Sequence, residues 1–259
     1  MADLRNVQTR MTPAGAQAGA VIDEGLRTYM LKVYNLMALG MVITGVAAFF
    51  TIMLTTTNDP ASAAATMANG KMLTSAGVAL YTSPLRWIVM LAPLGMVFFL
   101  SFRVNSLSVP AARTAFWVYA GLMGLSLSSI LLVYTTASIV QTFFVTAASF
   151  GALSLYGYTT KKNLSAMGSF LIMGLFGLII ASLVNIFLQS SALNFAVSAI
   201  GVLIFAGLTA YDTQKIKEMY FDGDDAQVIG RKAIMGALTL YLDFINLFMF
   251  LLRFMGNRN

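Results

Sequence analysis

Two carboxylates stand apart from the others in this chain. Of ten acidic residues, eight fall in the polar N-terminal stretch or between apolar segments. Asp212 ends one apolar run, FAGLTAYDTQKIK, and Asp243 sits inside another, LTLYLDFINLFMFLLR. Asp243 lies eleven residues after Lys232 and ten before Arg253, so no neighbouring charge along the chain offsets it. A carboxylate at the centre of a membrane helix costs about 2.5–3.5 kcal/mol on insertion scales, and such residues usually face a bundle interior and serve function. An asparagine would supply hydrogen bonds without the charge, so the charge itself calls for a use.

Spacing gives these groups company. Gly236, Thr239, Asp243 and Asn246 recur at steps of three and four and form one polar stripe on a helix. On the preceding segment Asn194, Ser198, Gly201, Phe205 and Asp212 share a face in the same way. Helices joined by a single loop tend to be neighbours, which would bring Asp212 and Asp243 across one interface. Two carboxyls sharing a site titrate as a coupled pair, a proton sensor available to a chain without histidine. Thr239 and Asn246 are then candidate pathway-lining residues. The competing reading is structural, with Asp212 a membrane-boundary residue beside Lys215 and Asp243 a satisfied buried group.

Other chemistries are scarce. Cysteine and histidine are both absent, which removes disulfides, thiol nucleophiles and the commonest metal ligand, so no zinc, copper or haem site is expected. Asp222-Gly223-Asp224-Asp225 lacks the alternation and the distant glutamate of a calcium-binding loop and reads as a solvated turn. A Schiff-base pigment would need a lysine within a helix, and none falls in the apolar segments. Tyr211-Asp212 superficially fits an intramembrane aspartyl protease. However, Leu240-Tyr241-Leu242 precedes Asp243 in place of G-x-G, and no proline follows Pro110 to build the later Pro-Ala-Leu motif. Enzymatic activity is therefore not expected.

The elements that must position the pair are membrane helices. Hydrophobic residues make up 58% of the 259 and charged ones only 10%, against about a quarter in soluble domains. Seven apolar segments approach the roughly 20 residues that cross a bilayer: Val33–Leu54, Trp87–Phe102, Thr114–Val133, Ile139–Tyr158, Met167–Leu188, Leu193–Tyr211 and Ala233–Leu252. The second is short, and Pro93 within it predicts a kink. Residues 1–30 read as a flexible tail, not a secretory signal, and 31–259 as a single seven-helix domain. Residues 55–71 read as a flexible connection. Ala120, Gly124 and Ser128, and again Ala147 and Gly151, are spaced for close helix packing.

The net charge of +6 follows from topology and does not call for a nucleic-acid partner. Twelve basic residues fall in the tail and alternate connections and two in the others, which predicts a cytoplasmic N-terminus. A full seventh crossing would put Arg258 on the opposite side, against that rule.

GLTAYDTQKI (207–216) and ALTLYLDFINLFMFLLRFMG (237–256) resemble the Bax inhibitor-1, or transmembrane BAX inhibitor motif, family, and the seven-segment layout does so from about residue 30 onward. The short segment after the last span resembles the bacterial branch. The resemblance implies an all-α integral membrane protein of the bacterial inner membrane, its last helix central and wrapped by the other six. It also implies a pH-sensitive calcium leak channel, or a slow calcium/proton exchange pathway. Asp212 and Asp243 would be its proton-sensing and calcium-binding residues, with calcium a transported or weakly bound ion rather than a tight cofactor. An arginine latch at the inner end of the second helix is matched, by position, to Arg103. Family members can carry an acid within that helix, where this chain has Ala92 and Pro93. The implied partners are the lipid bilayer, calcium ions and protons. The alternative is a regulatory protein that binds a membrane quality-control protease, with the N-terminal tail as its handle.

Overall fold

The computed structural model describes residues 13–258, with side chains from residue 24 onward. It holds helices α1 (Pro13–Thr55), α2 (Ser75–Tyr81), α3 (Leu85–Arg103), α4 (Val109–Leu127), α5 (Ile130–Val133), α6 (Thr136–Thr159), α7 (Ser165–Leu188), α8 (Ser191–Glu218) and α9 (Ala226–Met255). Seven membrane spans result among the described residues, α4 and α5 together forming the third.

The helices outrun the apolar segments because polar residues at their ends satisfy the free backbone N–H groups. Ser108, Thr135, Ser190 and Asp225 accept from Ala111, Ser138, Leu193 and Val228 N–H at 3.4, 3.3, 3.3 and 2.8 Å. Between α4 and α5, Ser128 Oγ donates back to Leu125 O at 2.6 Å and meets the Tyr81 hydroxyl at 2.9 Å, while α3 runs through Pro93 without interruption.

Helix α9 is the axis. Its most apolar window is 61% buried, against 11% for α3 and for α7. It packs on α8, α1, α6 and α4, whereas α3 lies outside against α2 and α4, and α7 lies outside against α8. Four helices thus wrap the centre directly and two form an outer layer. The core around α9 is large and apolar, with Tyr241, Leu240, Ile234 and Leu252 fully buried among Val33, Phe116 and Tyr119.

Two expectations about the connections need correction. Residues 1–12 of the expected tail lie outside the described residues, but from Pro13 the chain is helical, and Tyr29 and Met30 are core residues at 1% and 2% exposure. Nothing in this stretch breaks a helix, and Tyr29 stacks on Tyr220 with ring centroids 5.6 Å apart. The connection after α1 is not a loose loop either. Strands β1 (Thr56–Thr57), β2 (Ala65–Thr66) and β3 (Met72–Leu73) pair antiparallel in the order β1-β3-β2. Asn69 Nδ2 and Lys71 Nζ donate to Leu132 O and Leu131 O at 2.8 and 2.5 Å, tying the connection to α5.

The seventh span crosses fully. Asn257 N donates to Ser138 Oγ at 2.9 Å and Asn257 O accepts from Thr135 N at 3.0 Å, so the C-terminal segment meets the start of α6, at the same end as the small sheet.

Candidate acidic cavity between the outer and central helices

The segment AYDTQKIK on α8 sends successive side chains to different neighbours. The Tyr211 ring packs on Gly168 of α7, where a Cβ would come within 2.4 Å of it. Thr213 Oγ1 donates to Thr209 O at 2.7 Å and lies 2.9 Å from Ser154 Oγ, which lies 2.6 Å from the Tyr34 hydroxyl. Gln214 accepts from Leu164 N at 2.8 Å and donates to Lys162 O at 2.8 Å, clamping the turn between α6 and α7. Lys217 Nζ donates to Tyr158 O at 2.8 Å. These contacts fix α8 in rotation and leave Asp212 facing the remaining direction, between α7 and α9.

On α9 the polar stripe is positioned by small residues and rings. Gly236 sits against Ile216 of α8, and Gly201 of α8 sits against the Phe250 ring, where a Cβ would come within 2.4 Å. Phe205 stacks on Phe250 with centroids 5.6 Å apart. Between these contacts lies a cavity of about 580 Å³, open to one side and lined mostly by apolar side chains of α7, α8 and α9. Asp212, Lys215, Thr239, Asp243 and Asn246 supply its polar wall.

The sequence-predicted pair is therefore together. The two carboxyl-bearing residues line the same cavity, and each acts electrostatically on the other. Asp243 is 5% exposed, and its Oδ2 is buried without a hydrogen-bond partner among the described residues. Thr239 Oγ1 donates to Met235 O at 3.1 Å and Asn246 Nδ2 donates to Leu242 O at 2.8 Å, so Thr239 spends its proton, and Asn246 one of its two, on their own helix, and both keep oxygens able to accept.

Arg103 is not in this place. It is exposed at the far end of α3, which packs on α2 and α4 and not beside the α8–α9 contact, so the latch expected from its position in the second span is not formed. The cation of the cavity is Lys215, one turn beyond Asp212 on the same face of α8, whose charge acts on Asp212 and whose Nζ stands 5.8 Å from the Tyr211 ring centre. The three-residue spacing from Asp212 was the signal for it.

The acidic turn Asp222–Asp225 makes structural contacts. Asp225 caps α9, Asp224 pairs with Lys232, and Asp222 accepts from the Tyr220 hydroxyl at 3.2 Å. Among the described residues no group of three or more His, Cys, Asp or Glu is placed to hold a metal ion.

Fold and cavity define a class: a seven-span integral membrane protein built around its last helix, with a buried acidic pair on that helix's contact with the sixth span. The sequence matches the family described as inhibitor of apoptosis-promoting Bax1 over residues 26–259, and the chain belongs to this Bax inhibitor-1 family. A Rickettsia prowazekii protein is 50% identical, over 91% of this chain and 92% of its own length. The Escherichia coli inner membrane protein YbhL is 47% identical, over 90% of this chain and 93% of its own length. A Caulobacter vibrioides protein is 44% identical over 99% and 98%.

Proposed function

We propose that the protein is a pH-sensitive calcium leak pathway, or a slow calcium/proton exchanger, of a bacterial inner membrane, and not an enzyme. The observation that carries this is Asp243, buried in mid-span on the central helix, with its Oδ2 unpartnered among the described residues, in the wall of a cavity it shares with Asp212. An ionisable group in mid-span is costly to keep and marks a functional site.

Calcium takes six to eight oxygens. Two carboxylates, the Thr239 hydroxyl and the Asn246 amide oxygen offer about four oxygens if each carboxylate binds through one and about six if both bind through two, at or below the lower end of that range, so backbone carbonyls and water would complete the shell and the ion would be held weakly. Weak holding suits a transported ion, since conduction requires release. Protons compete for the same carboxylate oxygens, and occupancy by one cation excludes the other. Lys215 sets the local field in place of the Arg103 latch. The excess of basic residues at the end bearing Lys161, Lys162, Lys215 and Lys217 supports placing that end, and the N-terminus, in the cytoplasm.

Calcium flux into reconstituted vesicles, compared between the parent and Asp243→Asn across a pH series, tests the proposal. Loss of flux or of its pH dependence is expected; flux unchanged in both respects would overturn it. The regulatory alternative rests on the N-terminal residues, and deleting residues 1–28 tests it by loss of a protease partner with flux intact.

A further inference from the structure

The second outer helix, α3, also covers a cavity. At the end where α9 finishes, a space of about 670 Å³ lies between α3, α4–α5 and the last turns of α9, roofed by Met67 and Tyr81 of the ordered connection. Four basic residues occupy this end of the described molecule, Lys71, Arg86, Arg253 and Arg258, against one acid, Asp59. Lys71 is engaged with Leu131 O, and Arg258 lies over the Tyr134 ring at 5.8 Å. Asp59 is turned to Ala61 N at 2.9 Å. The remaining two cations, Arg86 and Arg253, both line the cavity, and neither is paired with a carboxylate among the described residues.

Their setting is specific. Arg86 opens α3 and stacks its guanidinium 5.1 Å from the Trp87 ring centre. Arg253 stands in the last turn of α9, 5.6 Å from the Phe250 ring centre. Both sit at the ends of membrane-spanning helices, where arginine and tryptophan meet the bilayer interface. Below them the walls are apolar, with Met90 on α3, Leu125 on α4 and Met249 on α9. Guanidinium forks match phosphate oxygens in a bidentate manner, and basic pockets between membrane helices are known to hold anionic headgroups on the cytoplasmic or matrix side, a pairing whose chemistry is the same in either leaflet. A free anion would use the arginines and leave the apolar wall wetted; a zwitterionic lipid would bring its own cation to two arginines. An anionic lipid satisfies both parts.

We infer that this cavity binds one anionic phospholipid, its phosphodiester held by Arg86 and Arg253 and an acyl chain lying along Trp87, Met90 and Met249. The occupant bridges α3 to α9 across the cavity both line, and it gives a use to two charges that stand on the side disfavoured for cations. The inference is independent of the acidic cavity.

Two measurements test it. Native mass spectrometry of the full chain, taken from mixed phosphatidylglycerol and phosphatidylcholine, should show one retained phosphatidylglycerol. The preference should fall by about tenfold or more in Arg86→Gln/Arg253→Gln and stay unchanged in Arg258→Gln. Equal preference in the parent and the double variant, or displacement of the lipid by inorganic phosphate alone, would overturn the proposal. The second measurement leaves the arginines intact. With Trp117→Phe, Trp87 is the single tryptophan of the chain. A small fraction of acyl-brominated phosphatidylglycerol in a phosphatidylcholine bilayer should then quench it more than equally brominated phosphatidylcholine does. Equal quenching would count against the site.

Discussion

The Tyr241 hydroxyl and Thr44 Oγ1 lie 2.6 Å apart across the buried contact between α9 and α1. Thr44 Oγ1 also stands 2.9 Å from both Gly40 O and Ala120 O. Its single proton goes to these carbonyls, so Tyr241 is the donor between the two hydroxyls. Tyr241 is two residues from Asp243 and on the other side of the helix, so this bond holds the rotation that turns Asp243 toward α8.

The asymmetry of that bond is measurable. Tyr241→Phe removes one interhelical hydrogen bond but leaves Thr44 with its carbonyl acceptors, a loss of about 0.5–1.5 kcal/mol. Thr44→Val leaves the fully buried Tyr241 hydroxyl without an acceptor, a loss of about 1–3 kcal/mol. Denaturant unfolding in mixed micelles should rank Thr44→Val as the more damaging change; the reverse order would mean the donor has been assigned wrongly.

Glycine contacts give a second contrast, within a single helix. A Cβ on Gly157 of α6 would stand 2.1 Å from Ala210 O, and one on Gly124 of α4 would stand 2.3 Å from Thr44 O. Both obstacles are backbone carbonyls of a packed helix. At Gly151, also on α6, a Cβ would meet nothing within 4 Å. Gly157→Ala is therefore expected to cost about 2 kcal/mol or more, and Gly151→Ala to stay within about 0.5 kcal/mol. Thermal unfolding in one detergent decides it; comparable losses at both positions would contradict the packing described.

The same glycines show what the sequence makes legible. The existence of the seven spans follows from apolar length, and the α8–α9 pairing of Asp212 with Asp243 from helical period and a single connecting loop. Small-residue spacing marks Gly124 and Gly151 alike, yet Gly124 and Gly157 are the ones that pack against a neighbouring backbone, because spacing identifies a stripe but not the rotation that turns it toward a neighbour or away from one. The helices begin at Val109, Thr136, Ser191 and Ala226, before the apolar segments do, since hydropathy reports the hydrocarbon core while polar caps such as Ser108 and Asp225 extend the helix beyond it. Arg103 was placed by its position in a span, but position along one helix says nothing of which helix lies beside it. Lys215 was on the correct face of α8 from the outset.

That difference between the two cations yields a functional prediction. If the acidic pair senses protons as proposed, Lys215→Gln should move the midpoint of the pH–flux profile by about half a pH unit or more, while Arg103→Gln should leave it in place. The flux assay in reconstituted vesicles reads both variants under the same conditions. A midpoint moved by Arg103→Gln and not by Lys215→Gln would restore the latch and demand a different arrangement of α3.

The absence of cysteine makes the topology directly testable. Asn257 bonds to Ser138 and Thr135, and Asn69 and Lys71 bond to Leu132 and Leu131, so the C-terminal segment, the small sheet and the α5–α6 turn share one end of the molecule. The α6–α7 turn bearing Lys161 and Lys162, held by Gln214, lies at the other. Single variants Ser62→Cys, Arg258→Cys and Asn163→Cys each introduce one exposed thiol into a chain that has no other. With a membrane-impermeant maleimide applied to intact cells, Ser62→Cys and Arg258→Cys should label together, and Asn163→Cys only after permeabilisation. Labelling of Asn163→Cys alone in intact cells would invert the proposed orientation while keeping the fold. Labelling of Ser62→Cys without Arg258→Cys would place the two ends of the Asn257 and Lys71 contacts on opposite sides of the membrane, and the full crossing of α9 would then be wrong.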